Sequence, residues 1–272
     1  MSGSLEFLVQ LLNGIQYGLL LFLLASGLSL IFGIMGVLNL AHGSFYMVGA
    51  YLAFWLARDI GNIWLAIPIE LAMVLLIGVI LESALFSRLY HRDHLQQVLL
   101  SFGLILIFEE LRSIFFGDDV HGVPVPPLLR SSIPLTGTLS YPVYRLFISG
   151  ACLVVAGLMY LVIQKTRVGM MIRAGSTNRE MVQSLGINIK LIYRWVFAVG
   201  VTLAALAGMI AAPISSVYPG MGSQILIICF VVVVVGGIGS IKGAMISALT
   251  IGIVDTLGQV LLPEFSERQS TC

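Results

Sequence analysis

Charge is what this chain has least of. Asp, Glu, Lys and Arg together make up 10% of its 272 residues against 58% apolar types, a balance that excludes an ordinary soluble domain. A net charge of +1 supplies no basic field for nucleic acid. Cysteine is equally sparse: Cys152, Cys229 and Cys272 are too scattered for a metal site. His42, His91, His94 and His121 form no ligand motif, and no nucleophile can be paired with a base, which leaves an intramembrane enzyme without its chemistry. No small-residue processing site interrupts the first apolar run, so that segment is expected to stay in the chain.

What remains is hydrocarbon, arranged in runs. A bilayer core takes roughly 20 helical residues per pass, so the apolar runs predict an all-α polytopic membrane bundle of about eight transmembrane helices with discontinuous segments. Residues 1–272 read as a single transmembrane domain. Five of the nine prolines (Pro124, Pro126, Pro127, Pro134 and Pro142) fall in one interval, 117–144, which therefore cannot be a span and reads as an external loop. Glu109 and Arg112 are three residues apart before it and can pair.

The opposite side is marked by basic residues. Arg88 to His94 forms one basic turn, and Lys165 to Arg194 carries Lys165, Arg167, Arg173, Arg179, Lys190 and Arg194 against the single acid Glu180. Loops rich in Lys and Arg stay cytoplasmic, so 165–194 is expected inside. It is also patterned. Thr177 and Glu180 have capping-box spacing, Gly186 supplies a helix stop, and Met181, Val182 and Leu185 share one face of the short helix between them. Such a helix is too short to stand alone. It either inserts into a groove on a soluble partner or rests on the chain's own helix ends.

Two glycine clusters break the hydrophobic runs. Gly33 to Gly43 (GIMGVLNLAHG) holds Asn39 and His42 and predicts an unwound segment beside a pathway or, alternatively, a small-residue packing seam with one satisfied histidine. Gly236, Gly237 and Gly239 precede Lys242-Gly243, a faint echo of His42-Gly43 that suggests paired interrupted segments. The second cluster lacks the Gly-Lys-Ser/Thr ending of a nucleotide loop. Gly14 and Gly18, and Ala204, Gly208 and Ala212, have helix-packing spacing. Glu70, Glu82 and Asp255 lie inside apolar runs, where a carboxylate is costly.

Taken together, Gly36 to Tyr51 (GVLNLAHGSFYMVGAY), Arg173-Ala174 with Leu185-Gly186-Ile187-Asn188, Leu206-Ala207-Gly208 and Gly236-Gly237-Ile238-Gly239-Ser240 resemble the LivH-like permease subunits of branched-chain amino acid ABC importers, within a superfamily that includes sugar permeases. The resemblance runs from about Gly14 to Pro263. It implies a multi-pass protein of the bacterial inner membrane, embedded in lipid, with no hydrolytic site and no cofactor of its own. It further implies a second, LivM-like permease subunit, two cytoplasmic ATPases that bind the ATP, and an external substrate-binding protein. Arg173, Thr177, Glu180, Met181, Val182, Leu185 and Gly186 would then couple to an ATPase. Asn39, His42, Gly43, Ser44, Gly236, Gly237 and Gly239 would flank the substrate pathway. Ser44 stands where relatives often carry an acid, and the chain stops at Cys272 where relatives usually continue with another hydrophobic span. The rival readings are a sugar permease of the same superfamily and an ion-coupled secondary transporter using Glu70, Glu82 or Asp255.

Overall fold

The computed structural model describes residues 2–60, 63–90, 92–136, 139–177 and 179–261, with side chains omitted for 2–6, 63–64, 135–136, 139, 179–180 and 261. Met1, Gly61, Asn62, His91, Gly137, Thr138, Asn178 and residues 262–272 lie outside the described residues. The architecture is a helical bundle, as the composition predicts, and its centre is the first helix.

That helix, α1 (Ser2–Met35), is apolar on nearly every side from Gly18 to Ile31 and is packed on every side there. Residues Leu19 to Ala25 are each at most 4% exposed. It lies against α5 (Val143–Lys165), α8 (Ile189–Ser215), α9 (Met221–Gly236) and α10 (Ile241–Leu261). The Gly14 and Gly18 pair meets α10 at Gly252, Ile253, Ala248 and Leu249, so this spacing is a packing seam. After α1 the backbone is non-helical from Gly36 to Ala41, and α2 (His42–Ile60) then begins inside the bundle. The discontinuity expected between Gly33 and Gly43 is present, and Val37, Asn39 and Ala41 within it are at most 1% exposed. Irregular backbone at this depth is enclosed by protein, as an apolar solvent requires.

Around this centre α2 and α8 cross closely. A Cβ at Gly208 would lie 1.9 Å from Tyr46 O, and one at Gly49 would lie 2.1 Å from Ala205 O, so hydrogen is the only side chain that fits at this crossing. The α8 helix runs on through Pro213 to Ser215. On its other flank α8 holds α3 (Ile63–Ala84), which a short 3-10 turn, Phe86–Arg88, extends.

The two basic intervals lie at one end of the bundle. Arg194, at the start of α8, reaches Glu82 at the end of α3, and Gly33 touches Gly239 in the turn between α9 and α10. At the other end α4 (His94–Phe116) leads into the proline-rich connection. There His121 and Val217 exchange both backbone hydrogen bonds at 2.8 Å, and Arg145 donates to Asn13 Oδ1 at 2.6 Å. The connection is more ordered than a plain loop, since β1 (Ser132–Thr136) and β2 (Leu139–Pro142) pair antiparallel. Arg112 pairs with Glu109 at 3.2 Å as its spacing predicts, and also with Asp118 at 2.9 Å.

Five helical stretches among the described residues are long and apolar enough to span a bilayer: Phe7–Met35, Leu65–Arg88, Val143–Lys165, Ile189–Ser215 and Ile241–Val260. That is fewer than the expected eight. The difference lies in α9, which is apolar but only 16 residues long, and in α2 and α4, which are less purely apolar.

Candidate functional site

The unwound segment places four of the expected pathway residues together. Asn39 and His42 are fully buried, Ser44 is 4% exposed, and Gly43 is buried against Gly222 at the start of α9. Asn39 Oδ1 accepts from the Ala41 amide at 3.1 Å and so shapes the turn into α2. The His42 ring sits 3.0 Å from the Leu24 carbonyl through Nε2. A carbonyl only accepts, so Nε2 carries the proton and donates, which staples the foot of α2 to the middle of α1. In the neutral ring Nδ1 is then an acceptor. Among the described residues neither His42 Nδ1 nor Asn39 Nδ2 has a partner. The foot of α2 thus holds one spare buried acceptor and one spare buried donor, each costly to leave unmade. Both sequence readings of His42 find support: it is a packing residue through one nitrogen and unsatisfied through the other.

Gly236, Gly237 and Gly239 are placed differently. Gly237 and Gly239 have φ of +87° and +79° and form an exposed turn between α9 and α10. A Cβ at Gly243 would lie 1.6 Å from Gly236 O. These glycines close a tight helical hairpin and seat it on the end of α1 at Gly33. The expectation of two matched interrupted spans is therefore corrected: the first cluster is a buried break, the second a surface turn. Gly43 packs on Gly222 whereas Gly243 packs on Gly236, so the echo between the two sequences has no spatial counterpart.

In the basic interval the structure has two short helices where the sequence predicts one. The first, α6 (Arg167–Thr177), was not anticipated. Its signal was Gly169, which lets α6 fold against the end of α5, because a Cβ there would lie 2.1 Å from Ile163 O. Thr177 is the last residue of α6, and its hydroxyl donates back to Arg173 O at 3.0 Å. The next helix is α7 (Arg179–Ser184), and the capping box expected from Thr177 to Glu180 rests on Asn178 and the Glu180 side chain, which lie outside the described residues. Arg173 donates to Ile163 O and so satisfies a carbonyl at the C-terminus of α5.

The stop at Gly186 is as expected. With φ of +79° it allows Ile187 N to reach Val182 O at 3.3 Å and Gly186 N to reach Gln183 O at 2.9 Å, a Schellman closure. The predicted apolar face is split by this geometry. Val182 is 4% exposed and anchors α7 to the chain, while Met181 and Leu185 are 63% and 71% exposed, one turn apart on its outer side.

The acids separate as well. Glu82, 1% exposed, accepts from Arg194 Nε at 3.2 Å and from the Tyr90 hydroxyl, tying the ends of α3 and α8 together. The partner Arg194 lies 112 residues away and could not be read from local spacing. Asp255 is exposed on α10 and accepts from Gln259 at 3.0 Å. Glu70 is fully buried in α3, and neither of its oxygens has a partner among the described residues. No group of three or more His, Cys, Asp or Glu side chains able to hold a metal occurs among the described residues.

Comparison with known proteins gives the family of the chain. Residues 10–269 match the family described as branched-chain amino acid transport system, permease component. The high-affinity branched-chain amino acid transport system permease protein BraD of Pseudomonas aeruginosa is 30% identical, covering 93% of this chain and 86% of BraD. The probable branched-chain amino acid transport permease protein LivH of Methanocaldococcus jannaschii is also 30% identical, over 90% of this chain and 79% of its own length. The ribose import permease protein RbsC of Haemophilus influenzae is 28% identical over 76% of this chain and 66% of its own length. No solved structure matches. A transporter subunit rather than an enzyme, with apolar helices suited to a multi-pass inner-membrane protein, the chain belongs to the permease component family of branched-chain amino acid transport systems.

Proposed function

We propose that this chain forms half of the translocation path of an ATP-driven importer for branched-chain amino acids. A second permease subunit completes the path, an external binding protein delivers the substrate, and two cytoplasmic ATPases bind the ATP. The observation that carries this reading is α7, a capped helix at the basic end with Val182 turned inward and Met181 and Leu185 turned outward. Its apolar outer side suits a groove on a soluble partner.

Closure of the two ATPases on ATP would move α7, and with it α6 and the ends of α5 and α8. Because Glu82 joins α3 to α8, these ends would travel as one body and switch the path between outward and inward openings. At the foot of α2 the spare Asn39 donor and the spare His42 acceptor match the two charged ends of an amino acid, carboxylate to donor and ammonium to acceptor. Ser44 and Gly43 would form part of the same wall.

The test is Leu185→Asp, which places a charge in the proposed groove without touching the core. Membrane insertion is expected to persist while ATPase copurification falls about tenfold or more; unchanged copurification rejects the docking role. Glu70 favours a second reading, ion-coupled transport. Uptake by the purified chain alone in proteoliposomes under an ion gradient would establish that reading, whereas dependence on ATP and the ATPases supports the first.

A further inference from the structure

A groove of about 850 Å3 runs along the outside of the bundle between α1, α5, α6 and α8, at the end that carries the basic interval. Its walls include Leu30, Val155, Met159, Ile172, Ile192 and Val199. It is open along one side, where Leu158, Val162 and Leu191 are 57%, 45% and 49% exposed. Asn188 is the one amide or charged side chain in the lining, and its Oδ1 is already engaged in capping α8, 3.3 Å from Leu191 N. An amino acid zwitterion would leave both its charges unmade here, so the groove is not a substrate site. It suits hydrocarbon.

The rim is of the opposite character. Lys165 and Arg167 lie between the lining residues Ile163 and Val168, at the turn from α5 into α6, and both are exposed. Among the described residues neither takes part in a salt bridge. Trp195, half exposed in the groove wall, is the residue type that gathers where hydrocarbon gives way to headgroups. A slot of hydrocarbon capped by cations that have no acidic partner among the described residues, with an interfacial tryptophan, is complementary to one class of molecule.

We propose that this groove binds an anionic phospholipid, with an acyl chain along α5 and α8 and the phosphodiester held by Lys165 and Arg167. The lipid lies against the α5–α6 joint and the start of α8, beside α7, so it would brace that end of the permease. The assignment holds whichever side of the membrane the basic end faces and stands independently of the docking of α7.

The test uses the assembled transporter, exchanged into vesicles of phosphatidylglycerol and phosphatidylethanolamine and examined by native mass spectrometry for retained lipid. A juxtamembrane cation is worth about fivefold in binding to an anionic lipid, so Lys165→Gln/Arg167→Gln should lower retention of phosphatidylglycerol relative to phosphatidylethanolamine by about twenty-five-fold. Arg58→Gln/Arg130→Gln, outside the basic end, should leave the ratio unchanged. Val199→Trp fills the slot without altering charge and should expel both lipids, which decides the matter if the double variant fails to assemble. An unchanged ratio in the double variant, or full retention in Val199→Trp, overturns the proposal. So does cross-linking of Val199→Cys to a second protein subunit, which would make the groove a protein interface.

Discussion

Removing one partner of the Glu82–Arg194 pair should be far worse than removing the other. The carboxylate is 1% exposed and the guanidinium 39% exposed, with 3.2 Å between them. Arg194→Met keeps the aliphatic stem but leaves Glu82 as a buried anion supported by the Tyr90 hydroxyl alone. An uncompensated buried charge costs about 3–5 kcal/mol. Glu82→Gln keeps the shape and the acceptor for Tyr90, and the freed guanidinium can turn to water, so its cost is about 1 kcal/mol. The double variant carries no buried charge and should recover most of the loss. Thermal unfolding of the purified protein in detergent, followed by fluorescence, reads all three. At about 2–4 °C per kcal/mol, Arg194→Met should lose roughly 10 °C and Glu82→Gln a few degrees. Equal losses, or a double variant as unstable as Arg194→Met, would refute the view that burial makes this pair asymmetric.

Gly208→Val should prevent stable assembly, because its Cβ would meet Tyr46 O at 1.9 Å in rigid backbone, whereas Gly150→Ala, with nothing within 4 Å, should be tolerated; expression and gel filtration compare them. At the far end, hydrogen bonds from Arg112 and then Ser113 hold the Asp118 carboxyl below its ordinary value of 3.8. Its contribution is therefore present above pH 3.8 and disappears as the pH falls through the lower folded value. The acid limb of the melting curve should be shallower in Asp118→Asn, and identical limbs would count against the pairing. A cysteine placed at the exposed Gln183 should react with an impermeant reagent only after cells are opened; labelling from the exterior would invert the topology.

Much of this was legible because a bilayer leaves few options. An uninterrupted apolar run such as Leu19 to Ala25 has to be buried or lipid-facing, and glycines with Asn39 and His42 inside such a run have to break it against protein. Gly186 announced a helix stop because only a left-handed residue closes a helix in that way. These are local constraints, and local constraints are written in sequence.

The rest needed the third dimension. The basic interval was expected to hold one short helix, but a second, α6, precedes it because Gly169 lets it fold back on α5, a contact between helices that spacing does not encode. Two similar glycine clusters proved unlike because one is enclosed by α1, α2 and α9 and the other faces outward. The partner of Glu82 lies 112 residues away, and the inward turn of Val182 against the outward turn of Met181 and Leu185 depends on what the helix rests upon. By itself the sequence determined that the chain is a membrane bundle, where it breaks and where its charge gathers. Tertiary structure alone decided which polar groups meet and which stay unmade, because those outcomes depend on helices remote in sequence coming together.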